Sequence, residues 1–129
     1  MFILNKNTPD EVVDGRQHTW LSKPGLTATE DLYFVRVVIP PGGGHPFHIH
    51  PNKEEILYII SGQAEQWLEH EKQLMKPGDS VHIPASSPHA TYNDGEEDLV
   101  FLAVITPGSA EGEIIIDVSQ EEPWRSLRA

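Results

Sequence analysis

His48-Ile49-His50 is the pattern in this sequence with the most direct route to chemistry. On a β-strand, residues i and i+2 share a face about 6.6 Å apart, a separation that two imidazoles can close onto one ion at about 2.0 to 2.2 Å. On a helix the same spacing sends them to nearly opposite sides. The pair by itself decides nothing, because two solvated histidines on a surface strand have the same spacing. A carboxylate follows: Glu55 comes after the Pro51-Asn52-Lys53-Glu54 bend and heads an apolar run, where burying an acid is expensive unless a cation neutralises it. Leu57 and Ile59 share the parity of Glu55 and argue that it points inward, with Glu54 outward. Ile56, Tyr58 and Ile60 leave the periodicity open on this point. A third imidazole, His89, starts the return strand of a proline-bounded loop, on a segment remote in sequence from the first two.

Strands must position these side chains. Gly, Pro, Asn and Asp cut the chain into apolar runs of strand length: 32–39, 47–50, 55–60, 63–68, 73–75, 81–83, 90–92, 99–105 and 114–118. Pro40-Pro41-Gly42-Gly43-Gly44 is a stretch that no regular element crosses. Asn93-Asp94-Gly95 has the composition of a turn with positive φ. Roughly eight to ten strands of about 3 to 8 residues, with no helix evident after residue 30, argue for an all-β barrel or sandwich. Near Thr8 to Val13, Thr8-Pro9 with Glu11 reads as a helical turn with an N-cap and a first-turn proline. The C-terminal SQEEPWRSLRA reads as a polar tail.

Composition narrows the function classes. The 129 residues suit one domain, with a core at about 30–106 and extensions at 1–29 and 107–129. Ten glycines and eleven prolines beside a 38% hydrophobic fraction favour short strands over long helices. A formal charge of -11 repels nucleic-acid phosphates and anionic membranes. With no cysteine, disulfides and thiolate ligands are excluded and metal chemistry falls to imidazole and carboxylate. The N-terminus lacks the apolar core and cleavage site of a signal peptide, and no run reaches the roughly 18 apolar residues of a membrane span. The expected location is the cytoplasm.

On these residues the chain resembles the cupin family. Gly42, His48, His50, Glu55 and Gly62 match the first cupin motif, G-x5-H-x-H-x3,4-E-x6-G, whose four-residue spacer selects Glu55 over Glu54. Gly78, Pro84, His89 and Asn93 match the second, G-x5-P-x-G-x2-H-x3-N, with Ser86 in place of the middle glycine. The motifs cover about half the chain. The resemblance implies a double-stranded β-helix, a jelly-roll-like antiparallel barrel, with one divalent transition metal held by His48, His50, Glu55 and His89. Three neutral imidazoles and one carboxylate leave two octahedral positions open for water, substrate or dioxygen, and Fe, Mn, Co, Ni, Cu and Zn all accept such ligands.

It further implies a metal-dependent enzyme acting on a small organic molecule, in the first instance a dioxygenase similar to the quercetinase-like cupins. A metal-dependent isomerase or lyase and a non-catalytic ligand-binding module are the alternatives. The sugar-phosphate isomerases need basic residues, for which the pocket region offers Lys53 and Arg36. Cupins are commonly homodimers, with terminal strands around Phe2 to Leu4 and Ile114 to Val118 available to cover edges. Gln66 could face the interior and donate to a metal-bound ligand, or be an exposed strand residue. His45, His70 and His82 read as surface or loop histidines, and His82 lies mid-strand near the site. Tyr58, Trp67 and Trp20 read as core or interface aromatics, and Phe47 and Tyr92 as walls of the pocket mouth. Arg36 reads as a partner for an acid across a dimer interface.

Overall fold

A computed structural model describes residues 1–128. Eleven strands run in chain order: β1 (Asp10–Val13), β2 (Arg16–Ser22), β3 (Tyr33–Ile39), β4 (Gly44–Ile49), β5 (Glu54–Ser61), β6 (Ala64–Leu68), β7 (Glu71–Met75), β8 (Ser80–Ile83), β9 (His89–Tyr92), β10 (Leu99–Thr106) and β11 (Ile116–Asp117). A single-turn helix α1 (Trp124–Leu127) follows. The strands form two antiparallel sheets, ordered β1-β2-β3-β10-β5-β8 and β11-β4-β9-β6-β7. The all-β class and the cupin-like architecture therefore hold, as two facing sheets rather than one closed barrel. No helix among the described residues is long and apolar enough to cross a membrane.

Alternation builds the interior. Val35, Val37 and Ile39 of β3, Leu57 and Ile59 of β5, and Leu99, Phe101 and Ala103 of β10 point inward from the first sheet. Ala64 and Met75 meet them from the second, and together they form the main apolar core. In β3, β5 and β10 every second side chain is buried, as expected of a sheet with one covered face. A smaller cluster lies on the other side of the second sheet, where Phe47, Trp67 and Ala90 pack with Val118 and, at its margin, Trp124 and Leu127.

Four sequence-based expectations need correction. Residues 10–13 form strand β1, paired with β2 in the register Asp10 to Thr19, and the only helical turn nearby is a 3-10 turn at Asn5–Asn7. The hairpin partner outweighs the Pro9 signal, because pairing gives the Asp10–Val13 backbone hydrogen bonds that one isolated turn cannot. The tail is docked: Trp124 packs 5.3 Å from Phe47, and Arg128 bridges Glu65 and Asp94 with its guanidinium 3.7 Å above the Tyr92 ring. Asn93 builds its turn without positive φ. Its buried side chain donates to Ile39 O and Glu97 O and accepts from Gly95 N–H, so the side chain replaces turn backbone. Residues 2–4 form no strand, and Phe2 and Leu4 are exposed.

Two motif positions show why their residue types matter. Gly62 has φ of +78°, and a Cβ there would lie 2.4 Å from Asp98 O, so only glycine lets the β5–β6 turn pass so close to that backbone. Ser86 takes the left-handed conformation expected of the glycine it replaces, at φ of +63°. Its hydroxyl accepts the Asn52 N–H and its own N–H donates to His50 O, so the departure from the motif ties the β8–β9 loop to the bend after His50.

Candidate metal centre

Three segments of chain converge at one end of the space between the sheets. His48 lies on β4, His50 just beyond it, Glu55 on β5 and His89 at the head of β9, paired with His48 across the ladder. All four are buried, from 1% exposed for His89 to 6% for Glu55. One ligand atom from each lies within 4.8 Å of those of the other three, a group that could hold a metal ion. The inward parity of Glu55 follows from β5, whose burial alternates so that Glu55, Leu57 and Ile59 face in while Glu54, Ile56, Tyr58 and Ile60 face out.

The three imidazoles are oriented from behind. Nδ1 of His48 donates to Pro46 O at 2.7 Å, Nδ1 of His50 to Ile114 O at 2.5 Å, and Nδ1 of His89 to Ser87 O at 2.9 Å. A carbonyl oxygen can only accept, so each Nδ1 carries the proton and each Nε2 keeps its lone pair for the centre. Glu55 Oε1 sits 3.3 Å from Nε2 of His50 and 3.0 Å from Nε2 of His89. These contacts lack hydrogen-bond alignment, and both Nε2 atoms are buried without a partner. Buried polar atoms in folded proteins nearly always have one. Lone pairs and a carboxylate aimed at one point require a positive charge between them. A divalent cation suits this donor set, whose neutral nitrogens and hard oxygen match first-row transition ions.

Ionisation in the metal-free cluster carries the same signature. Burial pushes His48 well below its ordinary range, and the neighbouring His89, His45 and His50 push the same way. For His50, burial also acts downward, but the adjacent Glu55 carboxylate outweighs it and the net direction is up. Glu55 is held well below the usual carboxylate range: its burial acts upward, and His50 and His89 override it.

The other singled-out residues fall elsewhere. Gln66 does face the interior at 3% exposed, where its amide donates to Trp67 O and its carbonyl accepts from Thr91, so its hydrogen bonds run within β6 and to β9. His82 stands on the outer face and meets Glu54 at 2.9 Å, both side chains more than half exposed. Phe47 and Tyr92 pack on the second sheet's outer cluster rather than at the pocket mouth, because their parity is opposite to that of His48 and His89. Trp67 is core in that same cluster, whereas Tyr58 is exposed. Lys53 is buried with Nζ 3.0 Å from Ala110 O, and Arg36 alternates outward between Val35 and Val37, so neither serves the pocket. His45 is the correction that matters for the site: its ring stacks on that of His48, centroids 3.5 Å apart and 9° from parallel. Its place three residues before a ligand on the same strand is a signal that the motif pattern does not include.

A pocket of about 430 Å3 opens beside the cluster, lined among others by Arg16, Gly44, His45, His48 and Ile115. Arg16 has no signal in the sequence, because RQHTWLS lacks the apolar alternation of a strand.

Comparison with known proteins gives a consistent picture. Residues 35–105 match the cupin domain family. The chain is 40% identical over 86 residues to dimethylsulfoniopropionate lyase DddQ of Ruegeria pomeroyi, covering 66% of this chain and 41% of that one, so it spans well under half the length of that relative. It is 36% identical over 103 residues to an uncharacterized protein of Methanocaldococcus jannaschii, covering 80% and 82% of the two chains. Among solved structures, KdgF from Halomonas sp. superposes with a TM-score of 0.73 at 27% identity, covering 83% of this chain and 93% of that one. Further relatives at 30 to 37% identity bear the names of a dioxygenase, an isomerase and two binding proteins.

Proposed function

This chain belongs to the cupin domain family, and from that premise we propose that His48, His50, Glu55 and His89 hold one divalent transition metal ion at which a small organic molecule is turned over. The observation that carries the reading is the pair of buried, unpartnered Nε2 atoms aimed with Glu55 at a common point. A bound ion would supply Lewis acidity and, beyond four protein ligands, open coordination positions for substrate or dioxygen. The protein's own contribution is to fix the ring orientations through Pro46, Ser87 and Ile114, and to bury all four side chains.

The oxygenase form of this reading takes substrate and dioxygen together. The lyase form is favoured by the 40% identity to a lyase and by the buried basic group at the pocket, which suits a charged substrate. Elemental analysis of freshly purified protein, followed by anaerobic and aerobic turnover of a panel of small organic acids with an oxygen electrode, separates the forms. One equivalent of metal with oxygen uptake supports the dioxygenase, and one equivalent with anaerobic turnover supports the lyase or isomerase. Absence of metal, together with no metal uptake on reconstitution, overturns both.

The reading also takes the chain as one domain working as a cytoplasmic homodimer. An outward row on β5, with Ile56 at 47%, Tyr58 at 44% and Ile60 at 45% exposure, supports the dimer as apolar surface of the kind that interfaces cover.

A further inference from the structure

Arg16 is a buried cation without an adequate anion. It is 5% exposed. Nη1 donates to Gly44 O at 3.1 Å, Nε is buried with no partner, and the nearest carboxylate oxygen, Asp14 Oδ2, is 4.0 Å from Nη2. Asp14 is itself 86% exposed, so water screens that pairing. A guanidinium presents five donors in a planar fork that matches a carboxylate, and burying it with most of them unused is unfavourable unless something completes the set. Burial draws its pKa down from the ordinary value and Asp14 offsets this only in part.

Its position gives the unfilled valence a meaning. Arg16 lines the same pocket as His48 and His45, and that pocket has the volume of a site for a small metabolite. One wall carries a metal-ligand candidate and another carries a permanent positive charge. In a chain of net charge -11, this places two cationic elements around one small cavity. The rim also carries Asp14 and Asp117, both exposed, which disfavours a multiply charged anion such as phosphate more than a singly charged one.

We propose that Arg16 determines substrate specificity by gripping the carboxylate of a small organic acid in the pocket that opens on His48. The assignment rests on the metal-dependent reading, in that the rest of the acid then lies toward the ligand cluster. Substrate recognition would thus come from the N-terminal hairpin, outside the segment that carries the metal motifs.

The test uses glycolate as probe, glycolamide as its uncharged isostere and inorganic phosphate as a competing anion, titrated by NMR into metal-loaded and metal-free protein. Glycolate should shift the Nε–H resonance of Arg16, one of four arginines in the chain, and glycolamide should leave it in place. Arg16→Gln should weaken glycolate binding at least fivefold, with metal content and glycolamide binding unchanged. A smaller loss, or a silent Arg16 resonance in the unmodified protein, overturns the proposal, and the resonance decides alone if the variant does not fold. Tighter binding of phosphate than of glycolate at Arg16 overturns the carboxylate assignment. Failure of the metal reading shows separately, as absence of metal by elemental analysis, while titration of the metal-free protein still decides the role of Arg16.

Discussion

The space between the two sheets has two ends that are equally deep and chemically opposite. At one end Ile39, Ile59 and Leu99 are fully enclosed among aliphatic neighbours. At the other, His48, His50, Glu55 and His89 are between 1% and 6% exposed and carry nitrogen and oxygen atoms aimed at one another. A single strand, β5, serves both, since Glu55, Leu57 and Ile59 face inward in succession. Burial therefore does not distinguish the scaffold from the site. Satisfaction does: the aliphatic end has nothing left to bond, whereas the polar end has atoms that only a cation or a proton can complete.

The comparison can be broken most forcefully from the aliphatic end. Ile59→Ala should cost about 2 to 5 kcal/mol of stability through lost contacts and the cavity left behind, measured by denaturant unfolding, while the folded fraction keeps its metal. At the other end, His89→Ala should leave the fold intact and weaken metal binding on the order of 100-fold or more, about 2.7 kcal/mol, read by metal titration. If Ile59→Ala also abolished metal binding in folded protein, the two ends would not be separable.

Acidity sharpens the same contrast at smaller amplitude. His45 and His48 are driven well below 6.5 when folded, chiefly by burial, so unfolding takes up protons and their contribution to stability is lost as pH falls below about 6.5. His50 is raised, so its contribution is present below 6.5 and is lost as pH rises through its folded value. Glu55 is depressed, and its contribution disappears as pH falls below its ordinary value of 4.5. Metal-free protein should therefore be most stable near pH 6.5 and decline on both sides in thermal melts, with metal flattening the profile. The smallest effect belongs outside: His82→Ala breaks an exposed pair with Glu54 and should change stability by less than about 1 kcal/mol and metal content not at all.

Most of the core strands and the candidate ligands were legible because each has a local signature. The β3, β5 and β10 runs are rich in β-branched residues and bounded by breakers, and the four candidate ligands occupy motif positions that the fold brings into one buried group. What escaped depends on pairing across the sequence. The segment RQHTWLS has no apolar alternation, yet β3 pairs with it and buries Arg16, Thr19 and Ser22. His45 precedes a proline and lies outside the motif spacing, and the irregular register of β4 between His45 and His48 accompanies the stacking of its ring on His48. The tail EEPWRSL is polar by composition, and its docking follows from Trp124 finding Phe47. Local pattern reveals what a segment prefers, and these elements are decided by what they meet.

The hydrogen bond from His50 to Ile114 joins positions 64 apart in the chain. A chain shortened to residue 113 would thus keep all four candidate ligands and lose the carbonyl that fixes the His50 tautomer. In such a chain that imidazole is free to turn and to present either nitrogen to the cluster. The tautomer of one candidate ligand is therefore set from beyond residues 35–105, the stretch that matches the family, by a segment that the metal motifs do not contain.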